Sequence, residues 1–396
     1  MKNKIIGIFL FLSTCFPLSA QDKVDLFGYF EPQYVGASVN KSFMQLQSNK
    51  LRIDLESKVS DFVTFGANVN FLTYHGTTNW HILDYLPDRV TSGIPPEMAE
   101  LYVLSYDNRI FLDNAYLKMS FKYADITTGR QQISLGTGYA WNPTDLFNTK
   151  DLLDPTYEQP GHNAIRVDVT GGGKTSLAAL YTVGDDFKSS DKMLWLKSGI
   201  SHFDLSLIAI EKTWTYTNYT QIDTLEMNFV TQEEKRRMIG ATLAGEILGL
   251  GVWAEYAYNF METSDDFFEL VVGADYTFDI QTYLMLEYYR NTQGKTNFEE
   301  YNFNDWMRYM AAEQRAISRD QLYFLAMHPV GDLVYIGLSS IYSISDNSLA
   351  LLPTLNYNIF ENVELLMYLN FYLGEEGTVY ASNLGNGGLL RARLYF

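Results

Sequence analysis

Apolar and polar residues exchange places at every second position through most of this chain, in segments of about ten residues. Leu51, Ile53, Leu55 and Val59 alternate with Arg52, Asp54, Glu56 and Lys58. Val63, Phe65, Ala67, Val69 and Phe71 alternate with Thr64, Gly66, Asn68 and Asn70. Val363, Leu365, Met367, Leu369 and Phe371 alternate with Glu364, Tyr368, Asn370 and Tyr372. Successive side chains of an extended chain point to opposite faces, so this period predicts strands with one apolar and one polar face. It predicts about 18 of them, among them 24–36, 48–59, 62–75, 202–212, 236–246, 361–373 and 386–396.

The connections carry as much information as the strands. Short ones fall at Ser60-Asp61, Tyr123, Gly171 to Gly173, Ser201, Ile247-Leu248, Asp279, Pro329-Val330 and Phe360. They alternate with longer ones, including 37–47, 76–107, 136–161, 213–235, 292–318 and 374–385. In an antiparallel barrel, odd and even connections emerge on opposite rims. The alternation therefore predicts an all-β fold, a closed antiparallel transmembrane barrel with short periplasmic turns and long extracellular loops. A soluble sandwich array or propeller would need a self-similar repeat of about 40–50 residues, and the chain has none.

Composition strengthens this picture. Aromatic residues make up 15% of the chain and charged residues 19%. Mean hydropathy is −0.12, and no apolar run after residue 20 is long enough for a membrane-spanning helix. Crossing a bilayer without such helices requires strands closed on themselves. The net charge of −18 excludes nucleic acid as a partner. The start of the chain, with Lys2 and Lys4, the apolar run Ile5 to Leu12 and the small residues before Gln21, has the three parts of a secretory signal. Residues 1–20 are expected to be cleaved, leaving 21–396 as one barrel domain. A rival processing site would acylate Cys15, the chain's single cysteine, although Thr14 before it fits such a site poorly.

The final strand reads Asn386-Gly-Gly-Leu-Leu-Arg-Ala-Arg-Leu-Tyr-Phe396. Phe396, Leu394, Ala392, Leu390 and Gly388 share one face, and Arg391 and Arg393 occupy the other. An arginine facing lipid costs ~2–4 kcal/mol near the midplane, so both are expected inside. The same logic places Arg52, Lys58, Lys118, Arg130 and Arg166 on the lumen with them. Glu255, Glu269, Asp275, Glu287 and Glu364 are expected across it. This sorting implies a passage with a basic-leaning and an acidic-leaning wall; a salt-bridge lattice stiffening the wall is the competing reading. The terminal strand resembles the C-terminal signature of bacterial outer-membrane proteins. That resemblance implies a position in outer-membrane lipid, with Phe396 as the signal read by the barrel assembly machinery.

One loop stands out. Residues 136–161 mix aromatic, turn-forming and carboxylate residues, with Tyr139, Trp141, Asn142, Asp145 and Phe147 as candidates for a constriction packed inside the barrel mouth. Gly129-Arg-Gln-Gln-Ile133 followed by Trp141-Asn-Pro-Thr-Asp-Leu-Phe147 resembles a local pattern of alginate-export-like and related porin-type barrels. There the arginine follows a strand into an inward-folded loop. Alginate exporters have a strongly basic lumen, and the acidic balance here departs from that. A second stretch, Phe303 to Ile317, predicts a short helix in the loop 292–318.

Chemistry of other kinds finds no support. Thr170-Gly-Gly-Gly-Lys-Thr175 has Asp168 where a phosphate-binding loop needs its first glycine, and it joins two strands. The five histidines have no metal-ligand spacing, and Ser201-His202 lies in a tight turn with its side chains opposed. The expectation is a non-enzymatic channel without a cofactor, passing small polar or charged solutes. A non-conducting surface barrel serving as adhesin or receptor, and an export channel for a polysaccharide, remain as alternatives. A homotrimer is compatible with the same apolar belt.

Overall fold

The computed structural model describes residues 24–39, 42–184, 189–223 and 228–396. Cys15 and the expected leader, 1–20, lie outside the described residues. Eighteen strands form one closed sheet. In chain order they are β1 (Val24–Val39), β2 (Ser42–Ser60), β3 (Val63–Gly76), β6 (Arg109–Ser120), β7 (Ala124–Gln132), β8 (Gly161–Thr170), β9 (Thr175–Thr182), β10 (Lys192–Ile200), β11 (Phe203–Asp223), β12 (Asn228–Ile247), β13 (Leu250–Met261), β14 (Phe267–Thr277), β15 (Tyr283–Asn291), β16 (Asp320–Pro329), β17 (Val334–Ser343), β18 (Ser348–Phe360), β19 (Val363–Leu373) and β20 (Asn386–Tyr395). A small hairpin, β4 (Asn79–His81) and β5 (Val103–Ser105), stands apart in the connection after β3. Each barrel strand pairs antiparallel with its neighbours in the chain, and β1 closes the ring on β20, with Tyr34 opposite Leu390 and Tyr29 opposite Tyr395.

The outward row is apolar because it meets lipid rather than a protein core. Leu194, Leu207 and Ile239 lie 56%, 60% and 59% exposed, and Leu177, Ile165, Val272 and Leu286 share that surface. Leaving such side chains in water would forfeit the free energy that drives burial, so a continuous apolar belt points to an apolar solvent. The inward row holds the buried carboxylates, amides and a second set of apolar side chains.

All eight short turns are present, and Gly172 and Gly173 both adopt positive φ in the one after β8. The four longest connections, 77–108, 133–160, 292–319 and 374–385, follow odd-numbered members of the ring and so share one rim. Two expected loops are corrected. Residues 37–47 belong mostly to β1 and β2, and 213–235 mostly to β11 and β12, which run for 21 and 20 residues. A strand of about 9–11 residues already spans the bilayer, so this last hairpin extends well beyond it.

Candidate functional site

The connection 133–160 does not stay at the rim; it folds into the barrel and is fastened there by side chains of the wall. Its own shape comes first. Asp145 accepts from the backbone N–H of Leu135 (3.2 Å), Phe147 (2.9 Å) and Asn148 (3.1 Å), and from the Asn148 amide (2.9 Å). Burial pushes the Asp145 carboxyl up from its ordinary range, and these donors oppose the shift. Asn142 donates to the Leu135 carbonyl (2.9 Å) and Asn148 to that of Ile133 (2.5 Å), tying the loop's start to its middle. Gly136 has φ +84, and a Cβ there would lie 2.7 Å from a Glu255 carboxylate oxygen, so only glycine fits.

Wall carboxylates then grip the loop's backbone. Glu255 on β13 accepts from the N–H of Thr137 (2.7 Å), Gly138 (3.2 Å) and Thr144 (2.6 Å), and from the Thr144 hydroxyl (2.8 Å). Glu287 on β15 accepts from the N–H of Tyr139 (2.6 Å), Ala140 (2.8 Å) and Trp141 (3.1 Å), and from the Trp253 indole (2.7 Å). Both glutamates are at most 1% exposed. Such charge-assisted bonds are about twice as strong as neutral ones, and water cannot compete for them here. Glu269 on β14 binds Arg236 of β12 (3.2 Å), the Tyr289 hydroxyl (2.7 Å) and Arg315 (3.0 Å). Arg315 comes from the connection 292–319 and donates also to the Asp145 carbonyl, so it locks the two inner loops together.

Apolar packing completes the attachment. The Trp141 ring stacks on Tyr289 at 4.9 Å and 7°. Ile133, Leu135, Leu146 and Phe147 pack on inward residues of β9 to β13, among them Leu180, Met193, Ile208 and Met238. The expected short helix is Phe303–Met310, capped by Asn302 and Asp305. It buries Phe303, Trp306 and Met307 in the same apolar cluster as Trp141. One half of the barrel interior is therefore filled.

The open half lies along the seam. There the end of the loop faces a ladder of cations on β2 and β20, with Glu31 of β1 between them. Arg393 pairs with Glu31 (2.5 Å), Arg391 with Asp154 (2.7 Å), and Lys50 and Arg52 with Glu158 (2.9 and 3.0 Å). Arg52 also holds Asp54 (2.7 Å). Tyr157 and Tyr29 donate to Glu31 and Glu158 (2.9 and 2.8 Å). Although burial opposes it, Lys50 and Arg52 hold the Glu158 carboxyl below its ordinary range, whereas burial pushes Asp151 up. Two cavities flank this cluster and share Asp154, Tyr368 and Arg391 as a common wall. The loop-side one, of about 450 Å³, is bordered by Trp80 and Tyr106; the turn-side one is about 490 Å³.

The structure thus gathers Arg52, Arg391 and Arg393 into one cluster, and brings Glu255, Glu269 and Glu287 together around the loop. Neither group stands bare across open water. The first is matched by carboxylates; in the second, Glu255 and Glu287 are matched by donors of the loop and Glu269 by Arg236, Arg315 and Tyr289, because a charge facing the interior needs a partner wherever protein fills that interior. Lys118 pairs locally with Asp125 and Arg166 with Asp168 (2.8 and 2.7 Å). Asp275 accepts from Tyr283 (3.0 Å), and the exposed Glu364 from Tyr395 (3.1 Å). Lys58 is exposed in the inward row near the turn rim. Arg130 is a correction: it shares the outward row of Thr128 and Ile165, and its Nε donates to the Asp113 carbonyl (2.9 Å). Beside Gly129, at φ +113, the polar-apolar alternation had no strong phase to follow.

Glu31, Asp154, Glu158, Arg236 and Arg315 were not singled out from sequence. Glu31 lies beside Pro32 in a strand of blurred period. The carboxylates of 151–158 follow each other at spacings of three and four residues, which is the one available hint.

No protein-family model matches the chain, and no curated protein sequence matches it. Solved structures do resemble it. OccAB1 of Acinetobacter baumannii superimposes with a TM-score of 0.56 at 9% identity, over 94% of this chain and 96% of that one. The trimer form of OmpT, an outer membrane protein of Vibrio cholerae, gives 0.47 at 11% identity, over 94% and 99%. A triple mutant of the Rh. blastica porin gives 0.47 at 13% identity, over 94% and 100%. The likeness to OccAB1 is one of fold: this chain is built as a closed 18-stranded antiparallel β-barrel.

Proposed function

We propose that the protein is an outer-membrane channel for the passive passage of small polar solutes, narrowed by the inward-folded loop 133–160. The observation that carries this reading is the pair of cavities on either side of the seam ion cluster, one toward each rim. In this reading residues 1–20 are a cleaved leader, 21–396 form the barrel, and the short turns face the periplasm. The inward cations and carboxylates border the passage, and Tyr139, Trp141, Asn142, Asp145 and Phe147 set its width by holding the loop in place. Phe396 and the strand before it carry the assembly signal, and three copies associate through the apolar belt.

Export of a polysaccharide is the second reading, favoured by the resemblance of 129–147 to alginate-export-like barrels and by the inward course of that loop. The charge-matched seam weighs against a polyanion, which would find few guanidinium groups without a carboxylate partner. Planar-bilayer recording of the purified protein tests the main reading. Discrete conductance steps are expected, enlarged when Glu287→Ala releases the loop. A barrel silent at every voltage would overturn it in favour of a surface receptor or adhesin.

A further inference from the structure

We propose that the turn-side cavity is a binding site for a neutral polyhydroxylated solute, a mono- or disaccharide held on its way through the barrel; this rests on the channel reading. Tyr139 of the inner loop, Tyr335 of β17 and Tyr368 of β19 all border the cavity. An aromatic ring presents a flat, weakly polar face with a polar tip, the shape that receives the C–H face of a sugar ring while its hydroxyls stay hydrogen-bonded.

Asn356 and Asn358 supply the hydrogen bonding. Both border the cavity, on the same face of β18 and about 6.8 Å apart along the strand. Asn356 stands opposite Tyr335, and Asn358 opposite Glu364. Among the described residues, neither side-chain amide has a hydrogen-bond partner in the protein. Each therefore offers a donor and an acceptor side by side, the pairing that adjacent hydroxyls answer.

The cations bordering the cavity argue against an anionic guest, and its exposed Glu364 carboxylate accepts from the Tyr395 hydroxyl. The Arg393 and Arg391 guanidiniums are engaged by Glu31 and Asp154 at 2.5 and 2.7 Å. Separating either pair to admit an anion leaves a carboxylate without its cation in a partly desolvated site, which is strongly unfavourable. A volume of about 490 Å³ falls in the range of clefts that hold small organic ligands.

Calorimetric titration of the detergent-purified protein with sucrose and D-glucose, alongside sodium gluconate, tests the site independently of conduction. Saturable sugar binding is expected, weakened about tenfold or more in Tyr335→Ala and in the double variant Asn356→Ala/Asn358→Ala, with no saturable heat from gluconate. In planar bilayers the same sugars should cause current interruptions that saturate with concentration. A current that merely tracks bulk conductivity, together with absent sugar heats, overturns the proposal, as does gluconate binding in preference to sugar. A barrel that is silent in bilayers but binds sugar defeats the channel reading alone. One that conducts without binding defeats the site alone.

Discussion

A buried carboxylate without a cation needs several donors, and Glu287 has four: three loop N–H groups and the Trp253 indole. In Glu287→Gln one terminal atom of the side chain becomes a donor and can accept from none of them. Hydrogen bonds to a charged acceptor contribute about 1.5–3 kcal/mol each, so the variant should lose roughly that much of the loop's attachment and show larger, noisier single-channel currents. Equal conductance and noise in both proteins would rule out the clamp. Trp141→Ala removes the ring stacked on Tyr289 and leaves a hole beside Tyr289 and Tyr323. A cost of about 3–5 kcal/mol is expected, read as a lower urea midpoint for the folded barrel in lipid vesicles, and an unshifted midpoint would show that the ring carries no load. At this scale the sequence was legible up to a point. Trp141 and Asp145 could be recognised as belonging to a packed loop, because aromatic and carboxylate residues together suit an interior rather than a mobile rim. That Glu255 and Glu287 bind this loop rather than face the solute could not be seen, since a strand's period tells which face a residue takes but not what occupies the space before it.

Strands obey the same logic. The alternation that marks β11 fades after Lys212, where Thr213-Trp-Thr-Tyr-Thr-Asn-Tyr-Thr220 has polar groups on both faces, yet the strand continues to Asp223. Beyond the bilayer both faces meet water, so pairing with β12 persists while the apolar row that betrays a strand is no longer required. The inner loop is the element whose attachment responds to pH. Glu158 is held below the ordinary carboxylate value of 4.5 by Lys50 and Arg52, against the effect of burial. A depressed folded-state value means that its contribution is complete above about 4.5 and is lost as pH falls through the lower value. Asp145 and Asp151, pushed up by burial, take protons earlier in the same titration. Recording from about pH 7 down to about pH 3 should therefore show a late change in conductance that Glu158→Gln lacks. A late change of the same size in the variant would remove Glu158 from the account.

For the whole molecule the decisive contact is the one between the chain's first and last strands, since a sheet that fails to close exposes unpaired edges to lipid. At this seam Gly28 exchanges both backbone hydrogen bonds with Phe396, at 3.1 and 3.0 Å. A Cβ on Gly28 would lie 2.1 Å from the Arg52 carbonyl oxygen, closer than any relaxed side chain comes, and a tight 3.1 Å from the Phe396 ring. Gly28→Val must therefore push β1 away from β2 or from β20. Either movement also displaces Glu31, three residues on, from Arg393 and Tyr157. The expected result is a sharp fall in the fraction migrating as a compact, heat-modifiable band in gel electrophoresis, with reduced recovery from membranes. Phe396→Leu keeps both backbone bonds and alters only the outward side chain, so its purified barrel should remain compact. If Gly28→Val closed as readily as the native chain, the seam would have to tolerate a spacing that its register does not allow. If Phe396→Leu failed to form the compact band, the aromatic ring itself would be holding the folded seam.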